Sequence, residues 1–135
     1  MTSSTPVSEF VTDTMGLVLR LEQRRMPPTA KAIFDAVESG QAIVYVPTIV
    51  FAEILYLSEK RRISLSLHTV AEHLEKFQHY QEYPMSLAVI QAAAQITDIP
   101  ELHDRLIAGT ARLLHLDLIT NDPTIQASAF VRTVW

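Results

Sequence analysis

The chain has 135 residues and a mass of 15.2 kDa, the size of one domain able to bury a full core without covalent staples. A 48% hydrophobic content with 19% charged residues and three glycines excludes disordered and fibrous classes, and the absence of cysteine excludes disulfides, thiolate metal sites and a cysteine nucleophile, as suits a reducing cytoplasm. A net charge of −4 argues against a broad basic surface for bulk nucleic-acid binding but leaves room for a local basic patch beside an acidic site.

The first residues, Met-Thr-Ser-Ser-Thr-Pro, carry neither the positive region nor the apolar core of a signal peptide. The longest apolar stretch, Ala42 to Leu57, is interrupted by Pro47 and Glu53 and falls short of the roughly 20 residues of a membrane span, so no membrane association is expected. Phe10 and Val11 open a strand that ends at Asp13, and Met15, Leu17, Val18 and Leu21 recur at helical spacing up to Arg24 and Arg25. Pro27 and Pro28 stop that helix. Thr29 is expected to cap a second one, with Ala30, Ile33, Phe34 and Val37 on its inner face and Gly40 closing it. Ala42 to Val46, rich in β-formers and without alternation, reads as a central parallel strand covered on both faces.

Pro47 and Thr48 start a third helix, apolar almost all round and therefore expected to be buried, with Glu53 inside it. A fourth helix begins at Ser64 to Ser66, Tyr83 to Met85 suits a short strand, and Ser86 caps a fifth helix with Leu87, Ile90, Ala93, Ala94 and Ile96 inward. Pro100 opens a sixth, which feeds the strand around Leu118 and Ile119. After Asp122, Pro123 forces a turn, a short helical piece reaches Ala127, and Phe130 to Val134 alternates like an edge strand. Strands joined by helical crossovers give an α/β fold with a mainly parallel sheet.

Four acids stand out: Asp13 after the first strand, Glu53 within an apolar helix, Asp104 at a helix start and Asp122 after the fourth strand. Three have ordinary readings, as an N-cap, a helix-dipole partner and a turn former. Glu53 does not, because a carboxylate buried unpaired costs several kcal/mol and needs a cation, a proton or an opening to water. Converging carboxylates with no conspicuous Lys or Arg beside all of them suit a hard divalent cation, Mg²⁺ or Mn²⁺, which prefers oxygen ligands and works on phosphodiesters by activating water. The five histidines show no i, i+4 pair of the zinc type.

The segments Phe10-Val11-Thr12-Asp13-Thr14, Val46 to Ile54, His103 to Ala111 and Leu118-Ile119-Thr120-Asn121-Asp122 resemble, in order and spacing, the acidic motifs of PIN-domain ribonucleases, and most of all the small VapC-type toxins of toxin–antitoxin pairs. The resemblance spans nearly the whole chain, read as one domain over 1–135. It implies a three-layer α/β/α fold with a central, mainly parallel sheet, Mg²⁺- or Mn²⁺-dependent RNA cleavage, homodimerisation and a cognate antitoxin partner. Carried over, Asp13, Glu53, Asp104 and Asp122 are the metal-site acids and Thr120 the hydroxyl that supports them. Gly109 departs from the alanine many relatives have and suits close packing. For RNA, Arg105 is favoured because it adjoins Asp104, with Arg24 and Arg25 as further candidates, while Lys60-Arg61-Arg62 reads as a solvated helix end. The rival readings are a catalytically silent PIN-like protein-binding module and another Mg-dependent phosphoryl hydrolase.

Overall fold

The computed structural model describes residues 7–135. In chain order it contains β1 (Ser8–Thr12), α1 (Thr14–Leu21), α2 (Pro28–Glu38), β2 (Ala42–Pro47), α3 (Thr48–Glu59), α4 (Leu67–Lys76), β3 (Tyr80–Tyr83), α5 (Leu87–Ala94), α6 (Leu102–Leu114), β4 (Asp117–Ile119), α7 (Pro123–Gln126) and β5 (Thr133–Val134). The strands form one parallel sheet in the order β3-β2-β1-β4-β5. Right-handed crossovers dictate the layers. The steps β1 to β2 to β3 run outward in one direction and place α1 to α4 on one face, whereas the return to β4 and β5 places α5, α6 and α7 on the other. The chain reverses direction between β1 and β4, which opens a crevice outside their carboxyl ends, the usual ligand position of such sheets. None of the described helices is long and apolar enough to cross a membrane.

The core lies between the layers, with Val11, Val44, Val46, Leu118 and Ile119 of the sheet packed against Leu17, Phe34, Ile54 and Ile107 of the helices. Several elements differ from their sequence readings. The proline pair does not merely stop a helix: Pro28 is the first residue of α2, where its missing N–H costs nothing, and Thr29 caps nothing. Helix α1 ends at Leu21, and α6 begins at Leu102 after Glu101, whose carboxylate accepts the Asp104 N–H at 2.7 Å. The third strand is Tyr80–Tyr83, ending where Pro84 removes a backbone donor, and β5 is only two residues long.

Burial differs too. Helix α3 is not enclosed: only Val50 and Ile54 are buried, while Ala52, Leu55 and Tyr56 face solvent. On α5 the inward residues are Val89, Ala92 and Ala93, and Leu87 and Ile90 are exposed. Strand β2 is fully covered on one face only, Ile43 and Tyr45 being half-buried, because α6 lies over β1 and β4 and α5 packs on α6. Helices α5 and α6 meet at Gly109, where an added Cβ would stand 2.8–2.9 Å from the backbone N, Cα and Cβ of Ala93. Gly109→Ala is therefore expected to destabilise by about 1–2 kcal/mol in a urea melt, since overpacking against backbone outweighs a gain of about 1 kcal/mol in helix propensity.

Candidate functional site

The crevice between β1 and β4 holds a cleft of about 520 Å³, lined by Asp13, Thr14, Met15, Glu53, Leu57, Asp104, Ile107, Asn121, Asp122 and Pro123. The four acids reach it from four separate segments. Asp13 follows β1 and is the N-cap of α1, its Oδ1 accepting the Gly16 N–H at 2.7 Å. A side chain at position 16 would press on this carboxylate, since a Cβ there would sit 3.0 Å from Asp13 Oδ1 and 2.8 Å from Thr12 Oγ1. Asp122 follows β4 and caps α7, its Oδ1 accepting N–H groups from Thr124 at 2.8 Å and Ile125 at 3.2 Å. The N-cap reading of Asp13 thus holds, while Asp122, read as a turn former, is in addition the N-cap of α7, and capping is what fixes both carboxylates at the cleft.

Thr120 does not line the cleft. It is fully buried, donates from Oγ1 to Asp13 Oδ2 at 2.6 Å and accepts the Asp122 N–H at 3.0 Å, so one hydroxyl ties the β1 acid to the β4 acid. Glu53 is neither sealed in apolar surroundings nor unpaired: its side chain keeps 27% exposure and accepts the Thr14 hydroxyl at 2.5 Å. Thr14 carries no sequence signal beyond its place after Asp13. Another residue the motif reading passes over is His103, whose Nδ1 stands 3.7 Å from Glu53 Oε2 and 3.5 Å from Glu101 Oε1 at the rim. Asp104 sits in the first turn of α6, and among the described residues its carboxylate has no hydrogen-bond or ion-pair partner.

Mutual crowding shows in the acidities. Burial pushes the Asp13 carboxyl up to about 6, against the hydrogen bonds from Thr120 and Gly16, with Asp122 and Glu53 adding repulsion. Asp104 is also pushed up to about 6, by burial and then by the negative charges of Glu101, Asp122, Glu53 and Asp13. Among the described residues no Lys or Arg lines the cleft to relieve this, and His103 approaches only Glu53, from the rim. Among the described residues no three acidic or histidine side chains are grouped tightly enough to cage an ion alone. The donors the cleft does offer are carboxylate oxygens, the type a hard divalent cation takes together with waters and substrate phosphates.

The three arginines lie elsewhere. Arg105 is not part of the cleft lining. One residue on a helix is a rotation of about 100°, which separates its Cβ direction from that of Asp104, and its Nε is buried and without a hydrogen-bond partner among the described residues. Arg24 and Arg25 line a separate depression beyond the far end of α1, with Arg20, Lys31 and Glu38.

A model of the PIN domain matches residues 13–131. The chain belongs to the PIN domain family. Solved structures with the same PIN fold include VapBC2 of Rickettsia felis bound to a DNA fragment from its promoter, with a TM-score of 0.71 and 15% identity over 93% of this chain and 97% of that one. DNA-bound VapBC of Salmonella typhimurium gives a TM-score of 0.67 and 19% identity over 95% of this chain and 98% of that one. VapC20 of Mycobacterium tuberculosis, a toxin that cleaves the sarcin-ricin loop, gives 0.63 and 16% over 90% and 96%. At these identities the likeness is one of PIN-domain fold. No curated protein matches the chain by sequence.

Proposed function

We propose that this PIN domain is a Mg²⁺- or Mn²⁺-dependent endoribonuclease and the toxin of a type II toxin–antitoxin pair acting in the cytoplasm. The observation that carries the reading is the cleft itself: four carboxylates from four chain segments, two of them with carboxyls pushed up to about 6, and no Lys or Arg among the described residues that line it. Such a site asks for a divalent cation and, through it, an anionic substrate. Asp13, Glu53, Asp104 and Asp122 are the side chains that would hold the cation. When bound, it supplies water activation and charge neutralisation at a phosphodiester. The chain's own residues do the positioning: Thr120 orients Asp13, Thr14 orients Glu53, and the N-caps of α1 and α7 keep Asp13 and Asp122 from rotating away.

An antitoxin partner is supported by neighbours of like fold that are VapBC complexes. Homodimerisation is supported by the exposed Leu87, Ile90 and Leu102 at the starts of the neighbouring helices α5 and α6. The test is a metal titration of RNA cleavage by the purified chain. Cleavage is expected with Mg²⁺ or Mn²⁺ and none in EDTA. RNA binding without cleavage in any metal would instead favour a silent binding module, and hydrolysis confined to small phosphate esters would favour a different phosphoryl hydrolase.

A further inference from the structure

Two basic runs far apart in sequence are brought together on the side of the protein where α1 and α3 end. Helix α1 closes with Gln23 in the left-handed region at φ 57°, the Arg24 N–H reaching the Leu19 carbonyl at 2.8 Å. Helix α3 closes in the same way, with Arg61 at φ 56° and the Arg62 N–H reaching the Leu57 carbonyl at 2.9 Å. Glu22 clamps the two ends. Its Oε2 accepts the Ser64 N–H and hydroxyl, both at 2.7 Å, and the Leu65 N–H at 2.9 Å, while its Oε1 lies 3.3 Å from Arg24 Nη1. Arg24, Arg25, Lys60, Arg61 and Arg62 are all exposed around this clamp. Five of the eleven Lys and Arg residues of a chain with net charge −4 thus lie around one clamp, and among the described residues the carboxylate ion-paired with them, Glu22, is spent largely on backbone.

A path joins this patch to the cleft. Glu53 and Leu57 line the cleft, and Tyr56 and Lys60 continue the same stripe of α3 at i+3 and i+7, about 10 Å along the axis. Tyr56 is 52% exposed, and Lys60 Nζ lies 5.8 Å from its ring centroid. An exposed aromatic ring between an acidic cleft and a cluster of cations is the arrangement that single-stranded nucleic acid uses, bases stacking on the ring and phosphates pairing with the cations. An acidic protein segment would meet the cations but has no use for the open ring leading to the carboxylates.

We propose that the surface formed by Arg24, Arg25, Lys60, Arg61 and Arg62, reached from the cleft along Tyr56, binds the single-stranded RNA that flanks the scissile phosphate. This rests on the nuclease reading above. Lys60-Arg61-Arg62 then ceases to be merely a solvated helix end, and Arg24 and Arg25 act at a distance from the cleft rather than inside it.

The test is fluorescence anisotropy of a short labelled single-stranded RNA on the full chain in EDTA, across a salt series, alongside the cleavage assay in Mg²⁺. The quintuple change of Arg24, Arg25, Lys60, Arg61 and Arg62 to Gln is expected to weaken binding roughly 10²-fold and to flatten the slope of log K against log salt by about 2 for about three phosphates left without a cation, and by no more than about 3.5 if all five cations pair with phosphate, at about 0.7 each. Tyr56→Ala should weaken binding about tenfold with the slope unchanged, because stacking releases no counterions. Arg132→Gln, which removes an exposed cation paired with Asp117 at 3.2 Å, should change neither. If wild type cleaves RNA while the quintuple variant keeps both affinity and slope, the patch proposal falls and the nuclease reading stands. The patch proposal also falls if the variant loses only melting temperature, which would make the cations partners of the helix dipoles, or loses only polyglutamate binding, which would assign the patch to an acidic protein. If wild type neither binds nor cleaves RNA, both fall together.

Discussion

Replacing Asp104 with Asn is expected to lower RNA cleavage roughly 10²- to 10³-fold, the scale on which one preorganised charged group acts, and to leave the fold intact. The carboxylate breaks no native bond when it is neutralised, since it has no hydrogen-bond or ion-pair partner among the described residues, and the amide that helps start α6 is the backbone N–H of Asp104, which the substitution keeps. What is lost is one quarter of the negative charge of the cleft. Asp13→Asn is expected to abolish cleavage as well, but it disturbs more: both oxygens of Asp13 are engaged, by Gly16 and Thr120, and an amide nitrogen in either place would face a donor. Full activity of a clean Asp104→Asn preparation in Mg²⁺ would remove the cleft from the mechanism.

The same substitution has a thermodynamic signature that does not depend on an RNA substrate. Asp13 and Asp104 both titrate near 6 in the folded chain, above the carboxylate value of about 4 expected when unfolded. Between these values the folded state holds more protons than the unfolded one, so in EDTA stability falls as pH rises from about 4 to about 6 and stays lowered above that. Asp104→Asn removes part of this penalty. Its melting temperature in EDTA should decline less steeply across the window and lie at or above that of wild type at pH 7. Added Mg²⁺ should then raise the wild-type melting temperature more than that of the variant, because at a given concentration a ligand stabilises more the more tightly it binds the folded state. Equal responses to the ion would show that Asp104 does not contribute to its binding.

How much of this is written in the sequence depends on the kind of signal. Strand, acid and helix can be read at Asp13 and again at Asp122 because a run of β-formers, a cap residue and a helical stripe are all local. Ser66 and Ser86 cap α4 and α5 for the same reason, each accepting the N–H three residues on. Exposure is not local. Apolar residues all round α3 suggest burial, yet Leu55 and Tyr56 face solvent, since a protein leaves much apolar surface outside and an apolar side chain is weak evidence of an interior. Neighbours in sequence need not share a place on a helix: Arg105 adjoins Asp104 but is not among the residues that line the cleft. The converse holds for Thr14 and Thr120, whose hydroxyls bond acids 39 and 107 positions away and which periodicity cannot distinguish from any other threonine. Glu38 is equally silent, an acid at the end of an amphipathic helix.

Glu38→Ala is expected to cost about 2–4 kcal/mol, with a fall in melting temperature of roughly 8–15 °C. The carboxylate joins four elements. It accepts two bonds from Arg20 of α1, each at 2.9 Å, and the Tyr80 hydroxyl of β3 at 2.5 Å, and it lies 3.3 Å from His73 Nε2 of α4. Truncation leaves Arg20 with only Asp35, at 2.7 Å, and strands the hydroxyl of Tyr80, a residue only 3% exposed. Burial pushes the Glu38 carboxyl up, but the bonds from Arg20 and Tyr80 outweigh it, so it titrates below the ordinary glutamate value. The stabilisation is therefore fully present above about pH 4.5 and lost as pH falls through the lowered folded value. Urea melts of wild type and variant should differ most near neutral pH and converge in acid. Glu38→Gln, which keeps the volume and an acceptor for Tyr80, should lose about half as much. The network lies away from the cleft, so the cleavage rate at saturating RNA, measured well below the melting temperature, should be unchanged, whereas RNA affinity is followed separately because Glu38 shares a depression with Arg24 and Arg25. A stability loss under about 1 kcal/mol, or a gap that persists undiminished to pH 3, would mean that α1, α2, α4 and β3 are held by packing alone.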